Sequence, residues 1–213
     1  MKKLLVIISI LSICYSCKEK AETIQPKKEI SIAEKIANAH GFENWRNVSE
    51  VSFTFFDKRS WIWKPKTQDV TLITEKDTIN YNRTSIDSLS LKADRAFIND
   101  KFWAFIPFQL IWDYSATISE PQKEKAPISK MTLNKIILTY SSEGGYTPGD
   151  AYDIYFDENY IIKEWAFRKG NKPKAGLKNT FENYKNFNGI KIAQDHKKSE
   201  GNWNLTITDV SVK

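Results

Sequence analysis

Cysteine is almost absent from this 213-residue chain: Cys14 and Cys17 are the only two, and nothing beyond Cys17 could form a disulfide. The stability of the remainder must therefore come from buried apolar surface, even in an oxidising compartment. Histidine is equally scarce, with His40 and His196 alone, and neither stands in an H-E-x-x-H sequence. There is also no G-x-S-x-G and no glycine-rich phosphate loop. Hydrolytic zinc and nucleophile-elbow chemistry are not expected, and the chain reads as non-catalytic, with no cofactor and no metal. His40 falls at a helix end where it bonds locally, and His196, beside Lys197 and Lys198, reads as a solvated strand end. Asp150, Asp153 and Asp157 lie along a strand without the tight-turn glycine of a calcium loop. No long hydrophobic run is present either. The longest, Leu4 to Ile13, has about half of the roughly 20 residues that a bilayer-spanning helix needs.

Charge of one sign is not concentrated. The formal net charge is +6, and removing Lys2 and Lys3 lowers it to +4. The other lysines are scattered, with short pairs at Lys27-Lys28 and Lys197-Lys198. Nucleic-acid binders gather basic residues on one face and interleave them with stacking aromatics or a known motif. Here a solvated surface is expected, and no nucleic-acid partner.

The N-terminus carries a positive piece of information. Lys2 and Lys3, a short apolar stretch and a small residue before a cysteine form a secretory signal, so residues 1–16 are set aside from the fold. The segment Leu11-Ser12-Ile13-Cys14-Tyr15-Ser16-Cys17 resembles that of bacterial lipoproteins, in which a peptidase cuts before a cysteine that receives a diacylglycerol. Cutting before Cys14 would place bulky Ile13 next to the cut, whereas cutting before Cys17 places Ser16 there. Cys17 is therefore the expected lipidation site and the chain's link to a membrane. Lys18 is compatible, by similarity to other lipoproteins of Gram-negative bacteria, with sorting to the outer membrane. Residues 17–29 are rich in Lys and Glu, contain Pro26 and show no apolar period, as expected for a flexible tether.

The fold is expected from residue 30 to residue 213 as one domain, long enough to bury about 70% of its unfolded surface without staples. Ser31 and Glu34 form a capping box, Ile32, Ile36 and His40 share a stripe, and Gly41 sits where a helix ends. Two-residue alternation then marks strands around Val51 to Phe56, Trp61 to Trp63, Val70 to Thr74 and Thr78 to Tyr81. Ile86, Leu89, Ala93 and Phe97 recur at helical spacing after Ser85, which predicts a second helix between Thr84 and Ile98. Phe102 to Phe108 is apolar throughout and contains Pro107, so an edge strand or covering segment is expected there. Gln122 to Ala126 reads as an exposed loop. Further strands are expected at Leu133 to Tyr140, Tyr152 to Phe156, Ile161 to Phe167, Thr180 to Tyr184, Ile190 to Ile192 and Trp203 to Ile207. Loop punctuation stands at Ser142 to Gly145 and Pro148-Gly149, and a hairpin at Asn188-Gly189. Val210 and Val212 fall out of phase with Leu205 and Ile207, which predicts a bulge. With about nine to eleven strands, at least two helices and no βαβ rhythm, the class is α+β with antiparallel sheet.

The capped helix ending in Ala39-His40-Gly41, the segment Asn99-Asp100-Lys101-Phe102-Trp103 with Pro107-Phe108, then Tyr152-Asp153-Ile154-Tyr155-Phe156-Asp157 and Trp165-Ala166-Phe167, resemble the envelope lipoproteins related to the LolA/LolB-like lipoprotein carrier superfamily. The resemblance covers roughly residues 30–213. It implies a strongly curved antiparallel sheet, an incomplete barrel, whose concave face is covered by helices and holds acyl chains or another apolar ligand. The 28 aromatic residues (12 Phe, 9 Tyr and 7 Trp) are suited either to a core or to such a wall. Trp61, Trp63, Phe105, Trp165 and Phe167 are the candidate cavity wall. Two roles follow: a non-catalytic binder or carrier of lipid or an apolar small molecule in the cell envelope, or an interaction lipoprotein with a dry core that presents a sheet face or edge to an envelope protein.

Overall fold

The computed structural model describes residues 29–143 and 148–213; the expected leader, Cys17, nearly all of the tether and the Gly144-Gly145 part of the loop lie outside the described residues. The first helix, α1 (Ile32–Ala39), begins on the expected capping box: the Ser31 N–H donates to Glu34 Oε2 at 2.8 Å and the Glu34 N–H donates to Ser31 Oγ at 3.2 Å. It ends at His40, and Gly41 follows with φ +90° in the left-handed region that glycine adopts without strain. A 3₁₀ turn over Phe42–Asn47 leads into a meander of β1 (Val51–Phe55), β2 (Arg59–Lys64), β3 (Asp69–Ile73) and β4 (Thr78–Asn82). Helix α2 (Leu91–Trp112) interrupts the strands, which resume as β5 (Ala116–Ile118), β6 (Gln122–Lys125), β7 (Thr132–Tyr140), β8 (Ala151–Phe156) and β9 (Ile162–Arg168). The chain closes with β10 (Leu177–Thr180), β11 (Glu182–Phe187), β12 (Ile190–Lys197) and β13 (Asn204–Val212).

The class is α+β and every strand pair is antiparallel. The strands form two sheets rather than one. Seven run in the order β11-β12-β13-β1-β2-β3-β4 and six in the order β10-β9-β8-β7-β5, with β6 also paired to β7. That makes thirteen strands among the described residues, more than the nine to eleven expected, and neither sheet is closed or strongly curled. The difference comes from short and polar segments. Gln122–Lys125 is fully exposed and was expected as a loop, yet it pairs with Thr132–Lys135 as β6. The expected Thr180-to-Tyr184 strand is split at Phe181, which lets the chain pass from the second sheet to the first. The expected irregularity in the last strand is present: Ser52 faces Ser211 but Thr54 faces Thr208, with Asp209 at φ +51° in the bulge.

The largest departure is α2. The second helix starts at Leu91, not near Ser85, and it continues through the Phe102–Phe108 run that was expected as an edge strand. Pro107 removes one backbone donor and its ring opposes the carbonyl four residues earlier; the helix accommodates this with a kink at Phe105, φ −127° and ψ 28°. From Phe102 to Trp112 the helix is apolar nearly all round, as suits a segment inside a core, and it lies between the two sheets. Phe97 packs on Trp61 and Trp63 at ring-centroid distances of 5.3 and 5.5 Å, and Phe105 on Phe53 at 6.3 Å. From its other side, Phe102 reaches Tyr152 at 4.7 Å and Trp103 reaches Trp165 at 4.5 Å. One contiguous cluster of buried side chains joins both helices and both sheets. Among the described residues, no helix is long and apolar enough to cross a membrane.

Helix α1 is held on the β11–β12 turn by backbone proximity. The Lys191 N–H donates to the His40 carbonyl at 2.9 Å, and the Asn44 amide donates to the Gly189 carbonyl at 3.2 Å. A Cβ on Gly41 would lie 1.9 Å from the Gly189 carbonyl oxygen. Gly41→Ala is therefore expected to destabilise the fold by about 3 kcal/mol or more, clash adding to left-handed strain, seen as a lower urea midpoint. Gly149→Ala, with φ +73° but nothing within 4 Å of its Cβ position among the described residues, isolates the strain at about 1 kcal/mol. Equal losses at the two positions would show that the α1 docking contact is unimportant.

Candidate functional site

Because α2 separates the two sheets without filling the space along its whole length, a cavity of about 1000 Å³ opens to solvent beside it. Its apolar side is made by Phe102 and Trp103 of α2, Tyr152 of β8, Trp165 and Phe167 of β9, and Leu177 of β10. These rings form a continuous surface. Phe102 stacks on Trp165 at 5.6 Å with an interplanar angle of 29°, and Tyr152 lies 5.2 Å from Trp165 and 5.1 Å from Phe167. The Tyr152 and Tyr140 phenols are raised far above their ordinary values, chiefly by burial, with the charge of Asp150 adding at Tyr152 and that of Asp113 at Tyr140. Both are neutral at any physiological pH.

The opposite end is polar and mostly cationic. Arg83, just after β4, donates from Nε to Asp94 Oδ1 at 2.8 Å and lies with its guanidinium 5.5 Å from the Phe97 ring centre. Lys101 is only 8% exposed, and its ammonium sits 4.9 Å from the Trp112 ring centre and 5.6 Å from that of Trp63. Its sole hydrogen bond among the described residues is a long one, 3.4 Å to Gln109 Oε1. Burial, reinforced by the charge of Arg83, lowers its pKa to about 8, against the opposing pull of Asp113 and Asp94. It remains mostly protonated at neutral pH. The Trp63 and Trp165 indole N–H groups are buried and have no acceptor among the described residues.

No known family, curated protein or solved structure matches the chain. Of the five aromatics expected to form a cavity wall, Trp63, Trp165 and Phe167 line it together. Trp61 and Phe105 lie elsewhere in the core: Trp61 is fully buried with its N–H donating to Asp100 Oδ2 at 2.8 Å, and Phe105 packs among Phe53, Trp63 and Phe108. Trp61 lies on the face of the first sheet that α2 covers, and Phe105 on the side of α2 that packs against that face. Lys101, Phe102 and Tyr152 also line the cavity but are not among the residues expected there from the sequence. A helical reading of residues 91–112 would have placed Lys101 on one stripe with Phe97, Phe105 and Phe108, where a lysine is anomalous.

The other groups weighed from the sequence have structural partners. Asp153 takes an ion pair from Arg168 at 3.0 Å, Asp150 accepts the Gly170 N–H at 2.7 Å, and Asp157 accepts the Asn159 and Ile161 N–H groups at 2.9 and 3.0 Å. Among the described residues no three His, Cys, Asp or Glu side chains converge as metal ligands. His196 is corrected: it is fully buried under Trp103 and Phe181, not solvated. Its place in β12 turns it inward, where its Nδ1–H donates to the Leu205 carbonyl at 3.1 Å. His40 bonds locally as expected, to the Ile36 carbonyl at 2.8 Å.

Proposed function

We propose that this protein is a lipid-anchored envelope lipoprotein, attached through Cys17 in the outer membrane of a Gram-negative bacterium, that binds or carries a lipid or other apolar ligand without catalysing a reaction. The resemblance to the LolA/LolB-like carriers motivates this reading. The observation that carries it is the open cavity of about 1000 Å³ with its wall of Phe102, Trp103, Tyr152, Trp165 and Phe167. Ligand sites typically occupy a few hundred to about 1000 Å³, with mainly apolar walls and few polar groups. In this proposal the two sheets act together as the incomplete barrel. Support comes from their junction: β10 runs through Phe181 into β11, the Asn179 amide donates to the His196 carbonyl at 3.4 Å and the Lys197 N–H donates to Thr180 Oγ1 at 3.0 Å. The alternative of a partner-binding lipoprotein with a dry core has no comparable observation in its favour.

Native mass spectrometry of the full chain purified from its own envelope tests both halves of the proposal. The expected result is a diacylglycerol-bearing N-terminal cysteine and a co-purified apolar molecule. Phe167→Glu, on a half-buried position of the wall, is expected to reduce ligand occupancy by about tenfold, since an apolar ligand would have to desolvate a carboxylate. No adduct and no uptake of a fluorescent fatty acid would overturn the binding role.

A further inference from the structure

Lys101 and its surroundings determine what kind of apolar ligand the cavity suits. An ammonium has three donors, and here one weak bond to Gln109 is all that the described residues provide. None of the ion pairs among the described residues includes Lys101 or Arg95, which also lines the cavity. The one carboxylate on the wall, Asp113, is already engaged: Oδ1 accepts the Ser115 N–H and Oγ–H at 3.1 and 2.6 Å, and Oδ2 accepts from Gln109 Nε2 at 3.4 Å. The Trp63 N–H beside Lys101 has no acceptor among the described residues. The polar end of the cavity thus has a surplus of donors and of positive charge. An apolar side chain at position 101 would cover Trp63 and Trp112 without the desolvation penalty that a buried ammonium carries. A ligand with oxygen acceptors and negative charge would remove that penalty, through charge-assisted hydrogen bonds in a partly dry site.

We propose that the cavity takes an amphipathic anion, with its carboxylate or phosphate head on Lys101 beside Trp63 and its apolar body along Phe102, Tyr152, Trp165 and Phe167. This rests on the cavity-binding role proposed above and adds the chemistry of the head. Trp63 and Trp112 hold the ammonium in place by cation–π contact, and Arg83, paired with Asp94, adds positive potential without being the seat.

The test uses the full chain in detergent, corrected for partition into empty micelles, with tryptophan fluorescence and calorimetry as readouts. The probes are octanoate and octyl phosphate (tail and charged head), 1-octanol (tail alone), and acetate and inorganic phosphate (head alone). Octanoate or octyl phosphate is expected to bind at least about tenfold more tightly than 1-octanol, and Lys101→Met to abolish that difference while leaving 1-octanol within about twofold. The wild-type comparison stands even if the variant does not fold. Equal binding of charged and uncharged octyl compounds would overturn the anionic head and leave the cavity role intact. An unchanged preference in folded Lys101→Met would overturn Lys101 as the seat. Acetate or phosphate binding as tightly as its octyl counterpart would identify a small-anion site instead. Failure of every octyl compound would remove the cavity role itself.

Discussion

Acidification from pH 7.5 to pH 5 is expected to lower the stability of the folded state by about 4 kcal/mol, and to pH 4 by about 6 kcal/mol, against the roughly 5–15 kcal/mol that a domain typically has. The source is His40 and His196, both fully buried. Burial lowers each from 6.5 to about 4, against the raising effect of one carbonyl bond, from Ile36 and from Leu205 respectively. At pH 5 an unfolded imidazole is protonated and these two are not, so unfolding takes up two protons and acid favours it. This contribution is fully present above pH 6.5 and is lost progressively down to about pH 4. Carboxylates act at lower pH, since their ordinary values lie near 4, so a loss between pH 6.5 and 5 belongs to the histidines. Urea midpoints at pH 7.5, 6 and 5 measure it, and the imidazole proton resonances of the native state should show no titration above pH 5. A flat midpoint over that range would refute the assignment. In the His40→Gln/His196→Gln double variant the slope is expected to disappear, whatever its absolute stability.

The contrast between these two histidines shows where sequence information runs out. His40 was legible because its partner lies four residues away on α1, within the same local pattern as the capping box of Ser31 and Glu34. The Asn188-Gly189 hairpin and the phase shift at Val210 were legible for the same reason: each is written in adjacent residues. His196 was not legible, because its burial depends on Trp103 and Phe181 arriving from α2 and from the β10–β11 junction. Phe102 to Phe108 failed differently. A segment surrounded by apolar neighbours on every side has no polar face to reveal its period, so helix and strand are indistinguishable, and Pro107 favours the wrong one. That error propagated into the candidate site. Alternation correctly placed Trp61 and Trp63 on one inward face of β2, but only the position of α2 decides that Trp61 meets Phe97 while Trp63 reaches the cavity. Polar β6 was hidden because exposed Gln-Lys-Glu-Lys has no apolar face at all.

The ion pair of Asp100 with Arg59 is expected to be the most sensitive polar contact in the protein, and its carboxylate is the deeper partner. It is fully buried, accepts from Arg59 at 2.7 Å (Nε to Oδ2) and 2.8 Å (Nη2 to Oδ1), from the Trp61 N–H at 2.8 Å, and from the Asn99 amide at 3.0 Å. Asp100→Ala leaves the buried Trp61 N–H without an acceptor and is expected to cost about 3 kcal/mol. The guanidinium limits the damage, because the Arg59 side chain is 32% exposed and can return to water. Arg59→Met is therefore expected to cost more, about 4 kcal/mol, although arginine is the more exposed partner, because what it strands is a fully buried carboxylate. The Arg59→Met/Asp100→Ala double variant should be less destabilised than the sum of the singles by about 2 kcal/mol. Urea midpoints for the four chains give this cycle, and strict additivity would mean that the pair does not act as a unit. There is also a consequence for the cavity. Asp100 fixes α2 to β2 one residue before Lys101, so the ion pair sets the rotation of the helix that brings the ammonium between Trp63 and Trp112. Asp100→Ala, studied at a urea concentration where it is still folded, should weaken octanoate binding more than 1-octanol binding. An equal effect on both would mean that Lys101 is held by its aromatic neighbours alone.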